Sequence, residues 1–235
     1  MSQKIGHRGA AGTAIENSLK AFRRAIELGA TGIEFDVRRA AVDNLVVFHD
    51  PTVDRVTFGN GPLLGFLFPH RLPRLKDGQG IPTPWEVIQE FGGKVELHIE
   101  VKEEGIMERI ARMVELRQLE ESCIISAFDE NENEPGDSSN WLELLWVQKR
   151  TPRLKIALLA EKWENAIRAV ALARAYPSRI YAINPSGEII TPSLVGMAHG
   201  AGSRVFVWTV DEPEEIARIK AMHVDGIISN YPDRL

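Results

Sequence analysis

The most constraining feature of the chain is an alternation. Eight short runs of β character recur from one end to the other, with helical patterns between them. The runs are "KIGH" (4–7), "GIEFDV" (32–37), "VELHIEV" (95–101), "SCIIS" (122–126), "LKIALL" (154–159), "RIYAI" (179–183), "RVFVWTV" (204–210) and "DGIIS" (225–229). Strands separated by helices pair in parallel, because the crossover returns the chain to the same end of the sheet. Eight such units in 235 residues predict an α/β fold, a (β/α)8 TIM barrel filling 1–235 as a single catalytic domain. A doubly wound open sheet is the structural rival. The count of eight favours closure, and no G-x-G-x-x-G follows a strand. Only "NYPDRL" follows the eighth run, so the last helix is expected to be short or absent.

Between the strands, apolar residues fall on single helical faces. Ile106, Ile110, Met113 and Val114 share one face, and Leu19, Phe22 and Ile26 share another. "TPWEV" (83–87) and "TPSLV" (191–195) read as an N-cap followed by Pro at the first helical position, and "DEPEE" (211–215) has the same form. Two stretches break the rhythm. Residues 50–82, rich in Gly and Pro, make a small loop insertion after strand two, and 129–140, "DENENEPGDSSN", is acidic and turn-rich. Both are expected to be largely solvated. Both follow strands, so both are expected at the catalytic face of a barrel.

Charge and composition exclude several classes. The net charge of −5 carries no basic stripe, so no nucleic-acid partner is expected. The single Cys123, among apolar neighbours, rules out an internal disulfide and reads as a buried thiol. No run of apolar residues is long enough to cross a membrane, so no stable membrane insertion is expected. "MSQKIGHRG" has no apolar export core, and a cytoplasmic location is expected. Nothing in the pattern fixes an oligomeric state.

The chemistry lies in the strands. Residues two apart on a strand face the same side, so Glu34 and Asp36 of "IEFDV" point together, opposite Ile33, Phe35 and Val37. In "VELHIEVK", His98, Glu100 and Lys102 share the inside while Leu97, Ile99 and Val101 face the helices. Strands of a parallel barrel are buried on both faces. Buried charges are costly unless paired or bound to metal. Glu34, Asp36 and Glu100 therefore ask for a cation, and their oxygens suit Mg2+ or Ca2+ rather than Zn2+. Arg8 and Lys102 could compensate the same charges.

His7 and Arg8 sit between Gly6 and Gly9 at the end of strand one, and His49 ends "LVVFH" in the connection leaving strand two. Two imidazoles beside a divalent ion suit acid–base chemistry on a phosphodiester, and Arg8 and Lys102 suit its anion. His98 lies deeper and reads as an interior hydrogen-bonding residue; His70 falls in the long loop, and His199 and His223 fall in helical segments.

Taken together, "HRGAAGTAIENSLKAFRRAIELGATGIEFDV", "VVFHDPTVDRVTFGNGP", "IPTPWEV", "HIEVK", "SAFD" and "VFVWTVDEPEEIARI…VDGIISNYPD" resemble the glycerophosphodiester phosphodiesterase family in order along nearly the whole chain. The resemblance implies metal-dependent hydrolysis of a small glycerophosphodiester to glycerol 3-phosphate and an alcohol, with Mg2+ or Ca2+, and Mn2+ as a further candidate. It implies His7 and His49 as the acid/base pair and Glu34, Asp36 and Glu100 as metal ligands. Arg8, Lys102 and Trp208 are implied as phosphate- and substrate-facing, with Glu16 and Asn17 in support. Trp208 reads equally well as a core tryptophan. The family usually has Pro where Ile15 stands and often Asn in place of His98. Two alternatives stand beside this reading. One is a phosphodiesterase for lysophospholipids or phosphoinositide-like headgroups, with "LLGFLF" (63–68) widening the mouth. The other is a non-catalytic binding barrel.

Overall fold

The structure, a computed structural model, describes residues 2–41, 44–66, 71–129 and 140–235. Eight strands run parallel: β1 (Gln3–Gly6), β2 (Gly32–Arg39), β4 (Glu96–Val101), β5 (Cys123–Phe128), β6 (Lys155–Ala160), β7 (Ala182–Pro185), β8 (Arg204–Val207) and β9 (Gly226–Ser229). A ninth, β3 (Leu45–Val47), lies antiparallel on β2, with Val37 opposite Val47. The parallel strands close on themselves. Ile5 of β1 stands opposite both Gly32 of β2 and Ile228 of β9, so no parallel edge is left open. The predicted (β/α)8 barrel is therefore the observed one. After β9 only a short 3-10 turn, Pro232–Arg234, remains where an eighth helix would stand.

Among the described residues seven helices fill the crossovers: α1 (Leu19–Glu27), α2 (Pro84–Phe91), α3 (Met107–Leu116), α4 (Asn140–Arg150), α5 (Trp163–Ala175), α6 (Pro192–Gly200) and α7 (Pro213–Lys220). Thr83 caps α2 through a full capping box with Glu86, and Thr191 caps α6. The third Pro start differs. Glu212 at the N-cap of α7 makes no side-chain cap bond, and the neighbouring Asp211 spends its carboxylate elsewhere.

The period-two pattern of the strands builds two apolar layers. Outward residues such as Phe35, Ile99 and Ile125 meet the helices in the large core. Inward residues Ile5, Ile124, Ala157, Ala182, Phe206 and Ile228 form a smaller plug inside the barrel. Phe22 of α1 joins the outer layer, its ring 5.8 Å from both Phe35 and Phe91. Beside the plug, the polar interior residues Glu96, His98 and Lys155 pair with one another: Lys155 Nζ donates to Glu96 at 2.9 Å and His98 Nε2 lies 3.4 Å from it.

Several expectations are refined. The sixth run shifts from 179–183 to Ala182–Pro185, ending on a residue that has no N–H to give the ladder. The seventh stops at Val207, beyond which Trp208 keeps only a single bridge to Ser186. His223 lies past the end of α7, in a turn with φ +60°. The insertion at 50–82 is more than solvated loop. Val53, Leu63 and Leu75 bury against Ala40, Val46 and Phe48 in a core of their own. Leu63 of "LLGFLF" is in that core and Leu64 is exposed, while 67–70, including His70, lie outside the described residues. Residues 130–139 of the acidic stretch do too. Cys123 is fully buried, and burial pushes its thiol up to about 12. Among the described residues, no helix is long and apolar enough to cross a membrane.

Two outcomes follow. Phe22→Ala empties a ring-lined site at the α1–barrel contact and should cost about 3–5 kcal/mol in urea unfolding. Burial alone would raise the Glu96 carboxyl, but His98 and Lys155 outweigh it and hold the group down to about 2, against an ordinary 4.5. A carboxyl held low favours the fold above about pH 4.5, and that contribution fades as pH falls toward 2. The stability gap between the wild type and Glu96→Gln should therefore narrow between pH 6 and pH 3, read from urea midpoints.

Candidate active site

Strands β2 and β4 pair with Asp36 opposite Glu100 and Glu34 opposite His98. That register brings the three carboxylates together, with one oxygen from each lying within 4.8 Å of the others. Asp36 is wholly buried and Glu34 nearly so. Cations answer part of this charge. Arg8 Nε lies 3.2 Å from Asp36 Oδ2, and Lys102 Nζ lies 3.2 Å from Asp36 Oδ1 and also pairs with Glu100. Burial opposes ionisation of Asp36, but Lys102 and Arg8, with His49 and the Asn17 amide, hold its carboxyl below the usual range. Glu34 and Glu100 go the other way. Burial raises both, and the neighbouring carboxylates add to it. Oε1 of Glu34 has no hydrogen-bond partner among the described residues. An all-oxygen cluster with surplus negative charge and an orphaned oxygen fits a hard divalent cation.

The loop after β1 is bent to serve this cluster. Arg8 and Asn17 adopt left-handed φ of +49° and +54°. In that bend the Arg8 amide donates to Glu34 Oε2 at 2.8 Å, and Asn17 Nδ2 donates to Asp36 Oδ2 at 2.8 Å. Gly6 and Gly9 are required for closeness: a Cβ on Gly6 would sit 2.5 Å from the Gly9 carbonyl, and one on Gly9 2.6 Å from the Ala21 backbone.

The two histidines are held differently. His7 Nδ1 lies 2.8 Å from Asn230 Oδ1, and Asn230 Nδ2 in turn donates to Asp211 at 2.6 Å. That chain places the proton on Nδ1 and leaves Nε2, 4.0 Å from Glu34 Oε2, as a base. Burial, then the Arg8 charge, lowers His7 to about 4. His49 Nδ1 instead meets a carboxylate, Asp50 Oδ1, at 2.7 Å. Arg55 anchors Asp50 at 2.6 Å and also grips both oxygens of Glu16, which takes a further bond from Arg8 at 2.9 Å. His49 stands near enough for its charge to favour ionised Asp36 and Glu100.

All ten residues singled out from the sequence thus converge on one end of the barrel. Trp208 has neighbours on two sides. Its ring packs edge-on against Phe128 at 5.4 Å, and it also walls a small cavity shared with His7, Glu34 and Glu100. Sequence reasoning missed Asp50, Arg55, Asp211 and Asn230. Asp50 had a local signal, adjacency to His49 at the same loop entry; Asn230 likewise follows the end of β9, as His7 follows β1. Arg55 and Asp211 had none. His199 bonds Asp225 at 2.8 Å on the surface, away from the cluster.

Comparison with known proteins finds relatives along nearly the whole chain. The model of the Glycerophosphoryl diester phosphodiesterase family matches residues 7–234. A glycerophosphodiester phosphodiesterase of Caldanaerobacter subterraneus subsp. tengcongensis is 36% identical over 251 aligned positions, covering 98% of this chain and 95% of that protein. The crystal structure of a glycerophosphodiester phosphodiesterase from Thermotoga maritima superposes with a TM-score of 0.76 at 27% identity, covering 99% of this chain and 96% of the other. An Oleispira antarctica phosphodiesterase solved with its product sn-glycerol-3-phosphate shares the fold at a TM-score of 0.78 and 24% identity, covering 100% and 95% of the two chains. With the family match spanning residues 7–234 and a relative 36% identical along 98% of this chain, it belongs to the glycerophosphodiester phosphodiesterase family.

Proposed function

We propose that the protein hydrolyses glycerophosphodiesters to glycerol 3-phosphate and an alcohol, with a divalent cation and the pair His7 and His49. The observation that carries the reading is the meeting of three buried carboxylates from two strands with an imidazole whose Nε2 is left bare. Glu34, Asp36 and Glu100 would hold Mg2+ or Ca2+, with Mn2+ also admitted by the oxygen set. The ion, when bound, would polarise a phosphoryl oxygen and stabilise the charge that develops on it.

The remaining work falls to the chain. His7 Nε2 takes the proton of the attacking oxygen, either a water or the glycerol 2-hydroxyl whose cyclic phosphate water then opens, and the Asn230–Asp211 pair keeps its ring in the tautomer that can do so. His49, its Nδ1 held on the Asp50 carboxylate, gives a proton to the leaving alcohol. Arg8 and Lys102 set positive charge beside the phosphate, Arg as a planar fork and Lys as a point charge. Glu16, locked between Arg8 and Arg55, fixes the guanidinium that faces the substrate.

Release of glycerol 3-phosphate from glycerophosphocholine should require added Mg2+ or Ca2+ and stop with chelator. The same ion should raise the melting temperature, by about 2.7 kcal/mol of stability at a free concentration about 100 times Kd. Glu34→Gln and Glu100→Gln should each lose that metal-dependent rise. His7→Ala and His49→Ala should each lower kcat by roughly 10²–10⁴-fold. Full activity in both variants would end the acid–base assignment, and turnover indifferent to chelator would end the metal assignment.

A further inference from the structure

Two groups that the proposed chemistry uses, His49 and Arg8, are each held by a carboxylate, and the two carboxylates share one cation. His49 Nδ1 meets Asp50 Oδ1 at 2.7 Å, and Arg8 Nη1 donates to Glu16 Oε1 at 2.9 Å. Arg55 lies between them. Its Nε and Nη2 donate to the two oxygens of Asp50 at 2.6 and 3.1 Å, and its Nη1 and Nη2 donate to the two oxygens of Glu16 at 2.6 Å each. Each carboxylate is thus gripped at both oxygens from a different edge of one planar guanidinium. A lysine ammonium is a point donor and spans no such pair.

The clamp is strong in charge and fixed in place. Burial would raise the carboxyls of Glu16 and Asp50, yet Arg55, joined by Arg8 at Glu16 and by His49 at Asp50, holds both below the usual carboxylate range. The backbone that carries Arg55 is tied down. Lys76 Nζ donates to the Arg55 carbonyl at 2.7 Å, and the Lys76 amide donates to the Val56 carbonyl at 2.9 Å. On either side of Arg55, Val53 and Thr57 are buried, Val53 in the excursion's own core. Arg8 follows β1 and His49 follows β3, so one residue of the excursion reaches two side chains that leave the sheet at different strands. None of the bonds Arg55 makes among the described residues goes to Glu34, Asp36 or Glu100.

We propose that Arg55 is a positioning residue for the hydrolysis, one clamp that sets the His49 imidazole and the Arg8 guanidinium together. The excursion then enters the chemistry through a single side chain. Seating Arg55 places, in one act, the group that serves the leaving alcohol and the group that faces the phosphate. This inference rests on the phosphodiesterase reading above and adds to it a residue that acts through two others.

The test measures kcat and KM on glycerophosphocholine with Mg2+ for single and combined variants. Misplacing a reacting group by about 1 Å can cost about 10²-fold, so Arg55→Ala should lower kcat/KM by roughly that factor. The loss should divide in a set way. Glu16→Gln alone should chiefly raise KM, because Arg8 faces the phosphate in substrate and transition state alike. Asp50→Asn alone should chiefly lower kcat, because the proton reaches the leaving alcohol only during the reaction. Arg55→Ala should move both constants, and adding Asp50→Asn to it should cost less than Asp50→Asn costs in the wild type. Methylguanidine, at concentrations too low to unfold the protein, should restore part of the kcat of Arg55→Ala. Arg74→Ala is the control for the fold of the excursion. It removes an exposed guanidinium of the same segment, bonded to the Gly78 carbonyl at 2.7 Å, and should leave kcat and KM unchanged. Wild-type constants in Arg55→Ala, a change in one constant alone, or full additivity with Asp50→Asn overturns the assignment. A loss that Arg74→Ala shares, or that methylguanidine does not relieve, places the effect in the fold of the excursion and overturns it as well. Wild-type enzyme that cleaves no diester with any metal defeats the phosphodiesterase reading itself, a separate result.

Discussion

Asp36 carries the constraint to which the rest of the structure answers. It is a carboxylate with no exposure to water, set in a barrel wall between two further carboxylates. Such a group persists only where charge and hydrogen bonds surround it. Here Arg8 and Lys102 approach from two sides, Asn17 Nδ2 donates to one oxygen, and the side-chain Oδ1 of Asn17 accepts the Asp36 backbone N–H at 3.2 Å. The loop between β1 and α1 is shaped by those contacts, down to the left-handed residues at both of its ends. Closing the loop on Asp36 is also what delivers His7 and Arg8 to the mouth.

How much of this is written in the sequence depends on the range of the interaction. Period-two alternation in "IEFDV" and "VELHIEV" fixes which side chains share a face, and register then turns that into a cluster. The eight-fold rhythm is equally local, so closure could be foreseen. Strand ends could not: Trp208 and Asn184 continue an apolar or broken run, and only neighbouring strands decide where the ladder stops. The supports of the histidines lie at the other extreme. His7 meets Asn230 across 223 residues, and Asn230 meets Asp211 in a segment that looks like an ordinary helix start. The core of the 50–82 excursion was hidden for a different reason. Its apolar residues follow neither helical nor strand spacing, so nothing periodic announces them.

The two imidazoles show how one mouth makes unlike groups from the same residue. An amide holds His7 and a carboxylate holds His49. The first, with burial and the Arg8 charge beside it, belongs to a ring held low at about 4, and the second ties His49 into the Asp50–Arg55 pair. Burial and partner choice thus give two equal side chains different surroundings at one mouth.

The excursion between β3 and α2 has a consequence for how such a molecule diversifies. Its apolar centre is separate from both layers of the barrel, and it reaches the reactive end chiefly through Arg55. Replacement of its sequence therefore alters the rim and the grip on Glu16 and Asp50 while sparing the closure of the eight strands. What approaches the mouth can thus change in a segment whose apolar centre belongs to neither layer of the barrel.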